Sequence, residues 1–142
     1  MVHVIFSTKN RQPTIVDVLR EKLYAYMAGV AKKEFGWARR IGGTSDHIHG
    51  LIEIRTDVSV AHAMNRWKSL SSGWVHKSFP EFRDFAWQSG YGAFTVSSSR
   101  APDVIAYIDG QAEHHRHRSF EEEFLHFLKR HGIQYDPEHV WE

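Results

Sequence analysis

The chain has 142 residues, of which 42% are apolar and 25% charged, with 18 basic against 17 acidic side chains. This is long enough for one domain with a proper core, and a net charge of +1 advertises no nucleic-acid partner, although a local basic patch would suffice for one. Cysteine is absent, which excludes disulfides, thiolate zinc sites and a cysteine nucleophile; no signal peptide is evident and no apolar run nears the ~20 residues that span a bilayer, so we expect a soluble cytoplasmic protein with no membrane partner.

The segment Val2-His-Val-Ile-Phe-Ser7 is β-branched and aromatic, and predicts a strand starting almost at the first residue. Its lack of lead-in residues leads us to expect a trimmed native N-terminus. A polar turn from Lys9 to Pro13 follows. Thr14 and Asp17 then resemble a capping box that opens a helix to about Phe35, with Leu19, Leu23, Tyr26, Met27 and Val30 along its buried stripe. Trp37 to Gly43 predicts a second strand, and Asp46 to Arg55 a third after a short turn through Thr44 and Ser45. Ser59 can cap the next helix, which runs to about Phe79, where Pro80 stops it. Val60, Ala63, Met64, Trp67, Leu70 and Trp74 form its apolar face, and Arg66, Lys68, Ser69, Ser72, His76 and Lys77 the opposite one.

Trp87 to Ser97 reads as a fourth strand, with a bulge or a close backbone approach at Gly90-Tyr91-Gly92. Pro102 suits the first turn of a helix carrying Tyr107 and Gln111. Ser119 and Glu122 form a capping box for a last helix, Phe120 to about Arg130, which Gly132 ends. The tail from Ile133 to Glu142 is expected to be irregular. No repeat, linker or low-complexity tract divides residues 1–142, so a single domain is expected. The element order predicts an α+β fold, a ferredoxin-like sandwich of antiparallel sheet and helices with an added C-terminal helix.

Chemistry concentrates at two places. Strand side chains alternate faces, so His47 and His49 point the same way and offer adjacent imidazoles to a metal ion. On a helix the i,i+4 spacing of Tyr107 and Gln111 places a hydroxyl and a neutral oxygen on one face. A metal pair beside such a helix points to phosphoryl transfer through tyrosine. Because a tyrosine hydroxyl has a pKa of about 10, it needs a nearby base, a water or the field of the metal. Its product, a phosphotyrosine, conserves the energy of a phosphodiester and suits rejoining better than hydrolysis.

At these residues the chain resembles the single-tyrosine HUH transposases of bacterial insertion sequences, in which histidine, a hydrophobic residue and histidine follow one another as in His47-Ile48-His49. His3 to Arg11 is similar to the family's opening strand and turn, Asp46-His-Ile-His49 to its metal motif, and Tyr107-Ile-Asp-Gly-Gln111 to its nucleophile helix. Trp87 to Val96 and Gln111 to His115 resemble the branch associated with repetitive extragenic palindromes (REP). The resemblance runs nearly end to end. It implies an endonuclease and strand transferase acting on single-stranded DNA beside hairpins in DNA transposition. Tyr107 would attack the phosphate, leaving a 5′-phosphotyrosine and a free 3′-hydroxyl. His47, His49 and Gln111 would hold Mg²⁺ or Mn²⁺; imidazole ligands favour manganese and cellular abundance favours magnesium. A homodimer that exchanges the tyrosine helix is also implied. Gly110 costs that helix about 1 kcal/mol relative to alanine, which would suit a mobile element.

Other residues carry open alternatives. His114 and His115 can contact phosphate, supply a further ligand or end the helix in solvent. Asp46 is a carboxylate that orients a histidine, or a turn residue. Lys9, Arg11, Arg66, Lys68 and Lys77 form either a phosphate track, extended by Arg39 and Arg40 with Trp74 or Tyr91 for base stacking, or an ordinary polar surface. Glu121 to Glu123 are expected to start the last helix favourably at its dipole, with no chemical role. Glu53 shares the face of His47 and His49 and is expected at the solvated core edge. Glu138 and His139 could carry the tail over the active site. Leu51 stands where a histidine-triad hydrolase needs its third histidine, and no second His-x-Thr/Ser motif of a phosphoesterase appears. Two other readings stay open: a domesticated protein that binds single-stranded DNA hairpins without cutting, and a histidine-rich metal-binding domain with no DNA affinity.

Overall fold

Strand β1 (Val2–Ser7) pairs with two neighbours at once, β3 (His47–Ile54) on one side and β4 (Gly92–Thr95) on the other. With β2 (Gly36–Gly43) against β3, the antiparallel sheet has the order β2-β3-β1-β4. The structure is a computed structural model that describes residues 1–115 and 118–141. Among the described residues five α-helices accompany the sheet: α1 (Asp17–Glu34), α2 (Val60–Ser78), α3 (Ala101–Asp109), the single turn α4 (Gln111–His114) and α5 (Phe120–Arg130). This is the expected α+β sandwich, with a second helical layer on the other side of the sheet.

The strand alternation decides what each face buries. Val4, Phe6, Ile48 and Ile52 point to α1 and α2, where Leu19, Leu23, Met27, Ala63, Met64 and Trp67 complete an apolar core. The indole of Trp67 lies across Phe6 and Phe35 and donates its N–H to the Met27 carbonyl at 2.8 Å, so its polar atom is satisfied inside that core. The opposite face presents His3 and Ile5 from β1 and His47, His49 and Leu51 from β3, all buried beneath α3, α4 and α5. Two glycines let those helices come close. A Cβ on Gly42 would lie 2.9 Å from the Ile108 carbonyl oxygen of α3, and one on Gly92 would lie 2.9 Å from the Phe124 ring of α5.

Three local expectations are corrected. The Thr14/Asp17 capping box does not form: Val16 precedes the helix without a side-chain cap, and Thr14 turns its hydroxyl to the Gln12 carbonyl. Ile15 is fully buried and its N–H is tied to the Ser45 carbonyl, which draws the chain inward and delays the helix to Asp17. The fourth strand is interrupted where the bulge or close approach was expected: Trp87 keeps an antiparallel bridge to Thr8, with Gln88 N–H on the Ser7 carbonyl, residues 89–91 leave the ladder, and the regular strand is Gly92–Thr95. Gln88 caps the Ser7 N–H with its side chain, and Lys68 gathers the carbonyls of Ser89 and Gly90 at 3.1 and 2.9 Å. The helix of Tyr107 breaks at Gly110 (φ −90°, ψ 13°), so Gly110 caps α3 and does not lie within a helix.

The Ser59 and Ser119 caps form as expected, with the hydroxyls accepting from His62 and Glu122 at 3.0 and 3.2 Å. The tail folds back on α5, with Trp141 against Phe120 and Phe124, while Glu138 and His139 are exposed. No helix among the described residues is long and apolar enough to cross a membrane.

Candidate active site

The two histidines of β3 are fully buried and held from behind. Nδ1 of His47 meets Asp46 Oδ1 at 2.8 Å and Thr44 Oγ1 at 3.0 Å. Nδ1 of His49 meets Nε2 of His3, its neighbour on β1, at 2.8 Å. Both Nε2 atoms therefore face the space between the sheet and α3–α5, the orientation in which a partner on one ring nitrogen prepares the other for a metal. Asp46 is thus an orienting carboxylate. Burial would raise it, but the His47 imidazole and Thr44 hydroxyl hold it below its ordinary value.

In that space sits Glu123 of α5. Its Oε1 is 2.8 Å from His49 Nε2, 3.5 Å from His47 Nε2 and 3.2 Å from His115 Nε2. Its Oε2 accepts from Gln111 Nε2 at 3.1 Å and from the Tyr107 hydroxyl in a short contact. Gln111 in turn turns its Oε1 to His47 Nε2 at 2.8 Å. His47, His49, Tyr107 and Gln111 thus converge in one chain, although Tyr107 and Gln111 flank a helix break. The backbone stays near-helical across it, with Gly110 N–H on the Ala106 carbonyl and His114 N–H on that of Gly110.

Burial and the Glu123 contact push the Tyr107 hydroxyl above its ordinary value. Burial alone would also raise Glu123, but the imidazoles of His115 and His49 and the Tyr107 hydroxyl hold it well below the usual carboxylate range. Burial lowers His49 to about 4, against the pull of Glu123, and lowers His3 to about 3. Burial thus favours the neutral form of both imidazoles, the form in which His49 could bind a metal ion.

One ligand atom from each of His47, His49, His115 and Glu123 lies within 4.8 Å of the others. His115 Nε2 is buried and, apart from its 3.2 Å approach to Glu123 Oε1, has no hydrogen-bond partner among the described residues, so it is free to serve as a ligand atom. Imidazole nitrogens with carboxylate and amide oxygens suit a borderline to hard divalent cation. The residues fit a metal ion.

The histidines after Gln111 have different surroundings. His115 turns into this cluster with its ring 4.4 Å from that of His47, whereas His114 is exposed and stacks on Tyr107 at 4.5 Å. Glu53 lies at the far end of β3 opposite Trp37. Of the basic residues singled out in the sequence, Lys9 and Lys77 are exposed, Arg11 pairs with Glu121 at 3.5 Å and Arg66 with Glu34 at 3.2 Å. Lys68 is half-buried over the Phe6 ring, and burial lowers it to about 8. Arg40 pairs with Asp109 at 3.6 Å, Arg39 lies over Trp37, and Trp74 stacks on Tyr26 within the α1/α2 layer. Arg66, Lys68 and Lys77 belong to α2, across the sheet from His47 and His49.

Glu123 and His3 are the residues that sequence reasoning missed. Both left a signal. Glu123 stands in the apolar stripe of α5 with Phe120, Phe124 and Phe127, where a carboxylate is out of place unless paired. His3 alternates inward with the apolar Ile5.

A model of the family described as "Transposase IS200 like" matches residues 1–111. No curated protein matches the sequence. Among solved structures, a chain from Deinococcus radiodurans R1, provisionally named a transposase, is 21% identical with a TM-score of 0.64, over 78% of this chain and 88% of that one. A REP-associated tyrosine transposase bound to a REP hairpin is 12% identical with a TM-score of 0.61, over 80% of this chain and 67% of that one. At these identities the likeness shows a shared fold. The family match stops at Gln111, so His115 and Glu123 lie beyond it.

Proposed function

The chain belongs to the IS200-like transposase family, and on that premise we propose that it is a metal-dependent endonuclease and strand transferase for single-stranded DNA beside hairpins. The observation that carries this reading is the meeting of Tyr107, Gln111 and both strand histidines on one buried carboxylate, Glu123. His47, His49 and Gln111, joined by Glu123 and His115, would hold Mg²⁺ or Mn²⁺. Such a cation neutralises charge on a phosphate and orients it for in-line attack.

The protein's own part is to position groups and move protons. Asp46 and Thr44 lock His47, and His3 locks His49, with each Nε2 facing inward. Tyr107 is kept protonated at rest by burial, so its proton must leave locally as the new bond forms; Glu123 Oε2, already in contact, would orient the hydroxyl and relay that proton without holding it. The Tyr107 oxygen then bonds to phosphorus while the bond from phosphorus to the 3′-oxygen breaks. That oxygen departs as a 3′-hydroxyl once it takes up a proton. Attack by a 3′-hydroxyl on the 5′-phosphotyrosine reverses these steps and rejoins the strand.

Because one chain gathers the whole set, the proposed homodimer needs no exchange of the tyrosine helix to complete its sites. Lys9 and Lys77, with Arg11, Arg66 and Lys68 freed from their present partners, would supply the DNA track. Since the α2 cations lie across the sheet from the histidines, they would grip the hairpin and not the cleaved phosphate.

The test incubates labelled hairpin oligonucleotides, drawn from palindromes flanking the gene, with the protein and Mn²⁺ on a denaturing gel. A protein-linked DNA band that vanishes in Tyr107→Phe and with chelator is the expected result. Binding without any such band would instead mark a domesticated, non-cleaving hairpin-binding protein.

A further inference from the structure

Lys68 of α2 is the one half-buried lysine among the described residues, and no acid accompanies it. Residues 89–91 leave the sheet ladder between Trp87 and Gly92, and the Ser89 and Gly90 carbonyls turn instead to the Lys68 amine at 3.1 and 2.9 Å. The same nitrogen lies 5.3 Å from the centre of the Phe6 ring and 6.0 Å from that of Tyr91. It borders a cavity of about 450 Å³ between α2 and residues 86–91, whose polar lining includes Asn65, Ser69 and Gln88. Tyr91 is the one other titratable group in that lining.

These surroundings suit an amine better than an ammonium. A neutral amine has two N–H groups for the two carbonyls and keeps its lone pair. The ammonium brings a third N–H and a charge that meets aromatic faces but no carboxylate. Burial accordingly lowers Lys68 to about 8. At pH 8 about half of it is then neutral, against roughly 0.4% of an ordinary lysine with a pKa near 10.4. A weaker base is also a weaker nucleophile, by roughly ten-fold here on the trend measured for thiols. A lead of about ten-fold in attack on an electrophile remains. Lysines desolvated in apolar pockets are activated as nucleophiles in the same way.

We propose that Lys68 is an acylation site, taking a small acyl group from an acyl phosphate that enters the cavity beside it. The cavity is of small-molecule size, and its polar lining suits a compact, polar donor. The amine nitrogen bonds to the acyl carbon, and the bond from that carbon to the phosphate oxygen breaks. Phosphate leaves with the electron pair, and the nitrogen gives its extra proton to solvent. The product is an uncharged amide with a single N–H. It serves one of the Ser89 and Gly90 carbonyls and not both, so acylation loosens the segment between Trp87 and Gly92. The site lies across the sheet from His47 and His49 and does not depend on the reading of Tyr107 as the nucleophile.

The test incubates the full chain with acetyl phosphate and follows acetylation of each lysine by mass spectrometry of its peptides. At pH 8 Lys68 is expected to react at least five-fold faster than the exposed Lys9 and Lys77. At pH 10, where ordinary lysines deprotonate too, that lead should be lost, and in urea it should vanish at pH 8 as well. Reaction of Lys68 no faster than that of Lys9 and Lys77 at pH 8 overturns the site. A lead that survives in urea overturns it too, because it would come from local sequence and not from the fold. The Gln88 N–H, bonded to the Ser7 carbonyl at 2.9 Å, reports on the neighbouring segment. In the acetylated chain it is expected to exchange its hydrogen at least ten-fold faster than in the unmodified one; unchanged exchange overturns the loosening.

Discussion

The two faces of the sheet are built on opposite principles. Toward α1 and α2, Val4, Phe6, Ile48, Ile52 and Trp67 exclude water and make few polar demands. Toward α3 to α5, the same two central strands bury His3, His47 and His49, which are satisfied by one another and by Asp46, Thr44, Gln111 and Glu123. Burying polar groups costs free energy unless every one is partnered, so the second face is stable only as a complete network. The first face supplies stability and the second spends some of it on a prearranged site. The difference teaches that strand alternation alone can separate stability from chemistry within one sheet.

Breaking each face in turn should sharpen the contrast. The largest effect is expected from Tyr107→Phe, which keeps the ring packed on His114 but removes the oxygen proposed to attack. Protein-linked DNA on a denaturing gel should fall to background while the thermal midpoint moves little. On the opposite face, Trp67→Ala should cost about 3–5 kcal/mol in urea unfolding, as other large core truncations do. Its cleavage per folded molecule, measured at low temperature, should stay close to wild type. A large selective loss of cleavage there would mean that the faces are not separable.

Next comes His3, which touches no proposed substrate atom and acts through His49. His3→Leu should weaken Mn²⁺ binding by roughly 10- to 100-fold, the usual effect of removing a group that orients a metal ligand. His3→Gln, whose amide oxygen can accept from His49 Nδ1, should recover much of that affinity in calorimetric titration. Equal losses in the two variants would assign His3 to packing alone.

The remaining effect is set by pH. An unfolded histidine takes up a proton near pH 6.5, but burial holds His49 to about 4 and His3 to about 3 in the fold. Between those values the unfolded state binds more protons, so stability is fully present above about pH 6.5 and declines as pH falls toward 4, by at most about 1.4 kcal/mol per unit for each group. Urea midpoints measured from pH 7.5 to 4.5 without metal should show this decline. A flat profile would place the two imidazoles in contact with solvent.

Much of the architecture was legible because it depends on local pattern. Period-two alternation marked β1 and β3, apolar stripes marked α1, α2 and α5, and Ser59 and Ser119 announced their helices. The Thr14 cap failed because Ile15 answers to the core and not to local capping. The fourth strand is interrupted between Trp87 and Gly92, where a side chain distant in sequence, Lys68, satisfies the Ser89 and Gly90 carbonyls that the ladder does not. Lys68 itself looked like a phosphate contact because sequence shows its charge and not the carbonyls around it.

By itself, the sequence determined that His47 and His49 share a face, that Tyr107 and Gln111 lie one turn apart, and that the elements alternate as an α+β sandwich. Each of these follows from backbone periodicity, which operates over a few residues. Only the tertiary structure decided that α5 lies over the site, so that Glu123, read from sequence as a helix-starting acid, joins His47, His49, His115, Gln111 and Tyr107. That placement depends on the gap left by Gly92 beneath Phe124 and on Phe120, Phe124 and Phe127 packing against the sheet. Contacts between residues far apart in the chain are set by which surfaces fit, and no local period encodes that fit.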